Sequence, residues 1–243
     1  MKNGKLNLAI CISGGGTTMR EVIRATKDGR LPHVNPALII SSELEAGGIE
    51  KARAEGVSDI KILPRKDFTN RDAFGEVILH ECRERDIDLI AQCGFLPIMP
   101  KNVTAEYRDR ILNQHPGPVD KHRLGFGGRG MHGRAVHHAV LYFASYVCRP
   151  FRTEATVHRV TDVVDGGALL GVQPVEIMPG DDASKLAERV LPHEHQLVIR
   201  TIMQFSEFGG PNEIYREHPL IRPGEEELLA NAKAYGIEKY PEG

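Results

Sequence analysis

Between Leu6 and Gln114 short apolar runs alternate with longer amphipathic ones, and that alternation restricts the chain more than any other feature. Apolar runs of four to eight residues separated by helical stretches are the pattern of βαβ units, in which a parallel sheet is covered by helices on both faces. Strands are expected over residues 6–13, 36–42, 60–63, 88–95 and 110–114, and helices over 18–28, 48–55, 70–85 and 102–108, with Asn70 as the N-cap of the third helix.

The second half is less regular. Residues 116–133 are rich in glycine and poor in apolar side chains, so a long loop is expected there, and loops of that length in compact domains carry function or move. A helix follows over 132–145, then an antiparallel strand pair over 154–160 and 168–177, then a long helix over 183–208, interrupted or kinked near Pro192. The fold class expected is α/β: a single Rossmann-like domain over residues 1–208, with a mostly parallel central sheet, an antiparallel addition in its second half and helices on both faces. Residues 209–243 are rich in Pro, Gly and Glu and read as a peripheral C-terminal tail with a short helix over 225–235.

Composition narrows the partners. With 31 basic and 33 acidic residues the net charge is -2, which argues against nucleic acid and anionic membrane and for small-molecule substrates. Cys11, Cys82, Cys93 and Cys148 are scattered without a C-x-x-C pair, as expected of reduced thiols rather than disulfides or a zinc site. No apolar run approaches the ~18 residues of a membrane span, and the N-terminus lacks a signal-peptide pattern, so a cytoplasmic protein is expected. The sequence leaves the assembly open between monomer and homodimer.

Two motifs carry chemistry. The first is Ser13-Gly14-Gly15-Gly16-Thr17-Thr18-Met19 between a strand and a helix, where free backbone N–H groups and the helix dipole can receive an anion. A dinucleotide fingerprint would need glycine at Met19 and a Walker loop would need Gly-Lys before the hydroxyl residue, so a single phosphate held by Gly16, Thr17 and Thr18 remains, beside the alternative of a plain tight turn. The second is Asn113-Gln114-His115 at a strand's C-terminal end, the edge at which open α/β sheets bind ligands. An amide can donate to a developing oxyanion and an imidazole can move a proton near neutral pH, and alternate strand residues point the same way. The same pair also fits a capped strand end before proline. A catalytic reading needs a carboxylate that orients the ring and raises its pKa. Asp165, followed by Gly166-Gly167, is the leading candidate and Asp162 its rival.

Six ordered stretches resemble the folate-dependent formyltransferase family, in particular the phosphoribosylglycinamide formyltransferases: ISGGGTTM, ISS with GIEKARAEGV, NRDAF, GFLPIM, ILNQHP and TDVVDGG. The likeness extends from about Leu6 to Phe205 and implies a Rossmann-like formyltransferase domain. It further implies transfer of the formyl group of 10-formyltetrahydrofolate, a cosubstrate, to the amine of phosphoribosylglycinamide in purine synthesis, with no metal. On that resemblance Asn113, His115 and Asp165 are catalytic; Gly16, Thr17 and Thr18 hold the substrate phosphate; and Leu191, Pro192, His193 and Glu194 bind the rest of that substrate. The folate site would be formed by Arg71, Leu96, Pro97, Ile98, Met99, Asn113, Thr161, Asp162, Val163, Val164 and Asp165. A formyl transfer to another amine, a hydrolase, and a folate- or phosphate-binding protein without catalysis are the alternatives.

The chain departs from the family pattern in several places. Thr17-Thr18 stands where the family usually has Ser-Asn, and Pro97 where Arg is frequent. Gly117-Pro118 and the glycine-rich run behind it replace a Ser-Leu-Leu-Pro stretch, while residues 142–152 and the tail have no counterpart. The triplet His132, His137 and His138 has no zinc-ligand spacing, and an accessory substrate contact is expected of His132.

Overall fold

The computed structural model describes residues 4–121 and 125–243; the expected loop's residues 122–124 lie outside the described residues. In chain order the elements are β1 (Leu6–Ile12), α1 (Thr17–Lys27), β2 (Val34–Ser41), α2 (Gly47–Ala54), β3 (Ile60–Ile62), α3 (Arg71–Arg83), β4 (Leu89–Gln92), α4 (Lys101–Glu106), β5 (Ile111–His115), α5 (Arg134–Tyr146), β6 (Thr153–Arg159), β7 (Leu169–Val175), α6 (Ala183–Phe208) and α7 (Glu226–Lys239). The strands follow the order β3-β2-β1-β4-β5-β6-β7 in a seven-stranded sheet. Pairings among β1 to β5 are parallel and β6 pairs with β7 antiparallel, so the expected mostly parallel sheet with an antiparallel addition is what the chain forms.

The chain divides into two units. The first comprises Met1–Asn113, Arg159–Asp162 and Val198–Pro211. Its strands are nearly continuous apolar runs because both faces of a parallel sheet are covered: Leu8, Ala9, Ile10, Cys11 and Ile12 are all fully buried. Ala9 and Cys11 share one core cluster with Phe74, Ile78 and Cys82 of α3, and Phe74 lies 5.1 Å from Phe68 and 6.5 Å from Phe95 between ring centres. Fully burying one such side chain is worth about 1.5–3 kcal/mol. Asn70 caps α3 as expected, its side chain accepting the Ala73 N–H at 2.8 Å. Strand β2 starts two residues before the expected boundary and runs through Pro36. That proline is tolerated because β3 pairs only with Ile39–Ser41, and the β1–β2 register slips between Leu8 and Ala9, where Pro36 would owe a ladder N–H.

The second unit comprises Gln114–His158, Val163–Leu197 and Asn212–Gly243. Phe126, Phe143 and Phe151 form an aromatic cluster at its centre, with ring centres 4.9–5.8 Å apart. Helix α6 runs from Ala183 to Phe208 through Pro192, so of the two expectations there, an interruption or a kink, the interruption is not what the chain forms. The C-terminal segment Asn212–Gly243 is integrated into this unit. Ile214 bridges to Leu169 of β7, Arg216 pairs with the buried Glu154 of β6, and Arg149 pairs with Glu225 at 2.7 Å. Helix α7 is longer than the sequence suggested and lies on α5, with Gly236 so close that a Cβ there would sit 2.4 Å from the Ala135 carbonyl oxygen. No helix among the described residues is long and apolar enough to cross a membrane.

Candidate active site

Strand β5 delivers the Asn-x-His pair. Asn113 is in register with Gln92 of β4 and half-buried, and His115, the last residue of the strand, is buried. The backbone turns sharply after it, and the Gly117 N–H lies 3.2 Å from His115 Nδ1. With Nδ1 accepting that bond, the neutral ring carries its proton on Nε2, which faces the Met131 carbonyl at 3.3 Å. The Thr156 hydroxyl then takes the Gly117 carbonyl, at 3.0 Å, and every group in the turn has a consistent role. Gly117 has to be glycine, because a Cβ there would lie 2.4 Å from the Val136 side chain.

Asp165 faces the same Nε2. Its Oδ2 lies 3.9 Å from His115 Nε2 and accepts the Gly128 N–H at 2.8 Å, while Oδ1 lies 3.4 Å from Nε2 of His158 on β6. The residue adopts φ +54, a left-handed conformation uncommon outside glycine, Asn and Asp, which places its carboxylate between the two rings. Burial alone would raise this carboxyl's pKa. The hydrogen bond from His158, the charges of His115 and His158, and the Gly128 N–H outweigh it, and the group is held well below the usual carboxylate range. Asp162, the rival, is exposed and accepts the Thr104 hydroxyl at 2.8 Å.

Two opposed effects set the His115 pKa. The Asp165 charge raises it, as the sequence suggests. Burial of the ring acts more strongly, and the net direction is downward, so His115 is neutral at neutral pH. The sequence reading also missed His158. It lies on the buried face of β6 with Thr156, both fully enclosed, and the β6–β7 register slips between Val157 and His158, the kind of irregularity that re-aims a side chain. The signal was present as a histidine seven residues before Asp165, on the strand that leads into the Asp loop.

The glycine loop between β1 and α1 is shaped for close approach. Gly16, the N-cap of α1, has φ +62, and a Cβ on it would lie 2.6 Å from the Gly48 Cα of α2. No side chain caps α1, which leaves its first N–H groups for a ligand. Thr17 is half-buried and Thr18 is buried. A cation that the sequence reading did not single out joins them: Lys51 Nζ donates to the Gly15 carbonyl at 2.5 Å. The Ser13 hydroxyl links this loop to the GFLPIM stretch by accepting the Leu96 N–H at 2.8 Å. Leu96 is 56% exposed, Pro97 and Ile98 are half-buried and Met99 is buried. Arg71 is exposed at the first position of α3, and Thr161, Asp162 and Val163 are exposed, with Val164 half-buried.

On α6 of the second unit, Leu191 and His193 are half-buried, Pro192 is exposed, and Glu194 is buried. Burial pushes the Glu194 carboxyl up to about 8, so it is protonated at neutral pH and can both donate and accept a hydrogen bond. Burial also brings the His137 ring down to about 4, with the nearby His115 charge acting in the same direction. His132 touches the chain terminus: a Cβ on Gly243 would sit 2.2 Å from its Nδ1. Among the described residues no cluster of His, Cys, Asp and Glu has a geometry suited to a metal.

The sequence model of one family, formyl transferase, matches residues 6–202. The chain is 29% identical over 196 residues to the chloroplastic phosphoribosylglycinamide formyltransferase of Arabidopsis thaliana, an alignment that covers 80% of this chain and 63% of that protein. Over 202 residues it is 26% identical to the phosphoribosylglycinamide formyltransferase of Escherichia coli K12, covering 83% of this chain and 88% of that one. The crystal structure of phosphoribosylglycinamide formyltransferase from Brucella melitensis superimposes with a TM-score of 0.72 at 31% identity, covering 84% of this chain and 96% of the other. The chain thus spans less than two thirds of the length of the plant relatives it matches.

Proposed function

Because the chain belongs to the formyl transferase family, we propose that it transfers the formyl group of 10-formyltetrahydrofolate to the amine of phosphoribosylglycinamide, a step of purine synthesis, as a protein of the cytoplasm. The observation that carries the reading is the half-buried carboxylate of Asp165 facing Nε2 of His115, which ends the strand that carries Asn113. The names of the relatives supply the acceptor.

In this reading the amine attacks the formyl carbon, and the tetrahedral intermediate's oxyanion receives a hydrogen bond from the Asn113 amide. Collapse breaks the bond between that carbon and the folate N10. The proton lost by the attacking nitrogen passes to Asp165, while His115 gives its Nε2 proton to N10 and recovers one from Asp165, so the pair ends as it began. Nε2 is the donor because Nδ1 accepts the Gly117 N–H in the neutral ring. His158 holds the other oxygen of Asp165 and so fixes the carboxylate's orientation. Gly16, Thr17 and Thr18, with Lys51 beside them, take the phosphate; Leu191 to Glu194 take the remainder of the ribonucleotide, with the protonated Glu194 suited to a hydroxyl partner. Arg71, Leu96 to Met99 and Thr161 to Asp165 take the folate, the exposed Leu96 and Val163 offering apolar surface to its ring system.

The test is direct assay of the purified protein with 10-formyltetrahydrofolate and phosphoribosylglycinamide, following tetrahydrofolate release and the formylated ribonucleotide together. Stoichiometric appearance of both is expected. Release of tetrahydrofolate without formylated product would point to water as acceptor, and turnover only with another amine would reassign the substrate.

A further inference from the structure

We propose that helix α7 is part of the catalytic apparatus, and that Lys233 is a positioning residue that polarises the peptide group holding Asp165. The proposal rests on the formyl-transfer reading above. Lys233 Nζ donates to the Gly127 carbonyl oxygen at 2.5 Å, and the Gly128 N–H donates to Asp165 Oδ2 at 2.8 Å. That carbonyl and that N–H belong to one peptide group. An ammonium on its oxygen withdraws electron density and makes its N–H a stronger donor, so cation, peptide and carboxylate form one cooperative chain of hydrogen bonds. Burial lowers the Lys233 pKa and the Asp165 charge opposes that, as expected for a lysine turned inward toward the site.

The two features that set this chain apart from its family, the glycine-rich run and the C-terminal extension, account for each other. A Cβ on Gly127 would sit 2.6 Å from the Asp165 Cβ, and one on Gly130 would meet the Ile237 side chain at 3.2 Å. One on Gly133 would lie 2.8 Å from the Gly243 backbone. The loop lacks side chains where Asp165 or the C-terminal segment occupies the space. Groups facing the Asp165 carboxylate are His115 from β5, His158 from β6 and, through the peptide, Lys233 from α7; His137 from α5 in turn feels the His115 charge.

The test compares the full chain with Lys233→Met and Lys233→Arg. In Lys233→Met, kcat for formyl transfer should fall about tenfold, the size of a lost charge-assisted hydrogen bond, with KM for both substrates within about twofold. With the cation gone, the Asp165 charge acts on His115 less compensated, so the His115 titration, read by NMR, should move up, and the pH profile with it. Lys233→Arg should recover most of kcat and the wild-type titration. Wild-type kcat and an unmoved His115 titration in Lys233→Met would overturn the proposal, as would equal losses in both variants without any titration change, which is the signature of loosened packing. If the wild-type chain shows no formyl transfer, the functional reading fails, and the NMR comparison still decides whether Lys233 acts on the Asp165–His115 pair.

Discussion

Glu194→Gln offers a quantitative check on the burial of α6. In the folded chain burial pushes this carboxyl from 4.5 to about 8, so between those values the native state holds a proton that the unfolded state has released. Stability therefore falls as pH rises through that window, with a slope set by the difference in bound protons. At pH 7 the group has lost about 2.5 units' worth of linkage, or on the order of 3 kcal/mol at ~1.36 kcal/mol per unit. Gln cannot ionise, so the variant should lack this slope: at pH 5 it should match the wild type within about 1 kcal/mol, and at pH 8 it should be more stable by several kcal/mol. Urea unfolding of both proteins at pH 5, 6, 7 and 8, with equal m-values as the control for a common unfolded state, measures the difference directly. Parallel stability curves over the whole range would refute the reasoning, because they would mean that Glu194 titrates alike in the folded and unfolded chains.

Three further outcomes are expected. Asn113→Ala should lower kcat for formyl transfer about 10²-fold with KM within threefold, measured by steady-state kinetics, since a lost oxyanion donor costs on the order of 3 kcal/mol. Asp165→Asn removes the strongest influence that raises the His115 pKa, so in NMR titration the His115 midpoint should fall further below its ordinary value, and kcat should fall with it. The wild type should lose more stability than this variant as pH falls below 3.8 toward the depressed pKa of Asp165, because that carboxylate's stabilisation is present only while it is ionised. Gly16→Ala should destabilise the fold by about 1–2 kcal/mol or more in thermal unfolding, because the new Cβ would occupy a φ +62 position 2.6 Å from the Gly48 Cα.

Much of the first unit was legible along the chain because its determinants are local. Buried parallel strands demand unbroken apolar runs, their helices demand amphipathic stretches, and Asn70 announces a helix start by its own chemistry. The second unit was less legible, since its elements are defined by what they pack against. Helix α7 comes from a charged, weakly amphipathic stretch, and its place was decided by Gly236 fitting against Ala135 and by the Arg149–Glu225 pair. Pro192 allows an interruption or a kink on sequence alone, and α6 continues past it because it buries apolar residues on both sides, among them Leu186, Val190, Val198 and Ile202.

The sequence by itself determined the α/β class, the glycine turn between β1 and α1, and the presence of Asn113, His115 and Asp165 at the ends of strands and turns, all of which depend on residues near one another in the chain. Tertiary structure alone decided that Asp165 rather than Asp162 faces His115, that His158 completes the carboxylate's surroundings, and that Lys233 reaches the same peptide from the far end of the chain. Tertiary structure likewise decided that His115 is neutral. The energy of burying an imidazole depends on how completely folding removes its water, and no local pattern records that quantity.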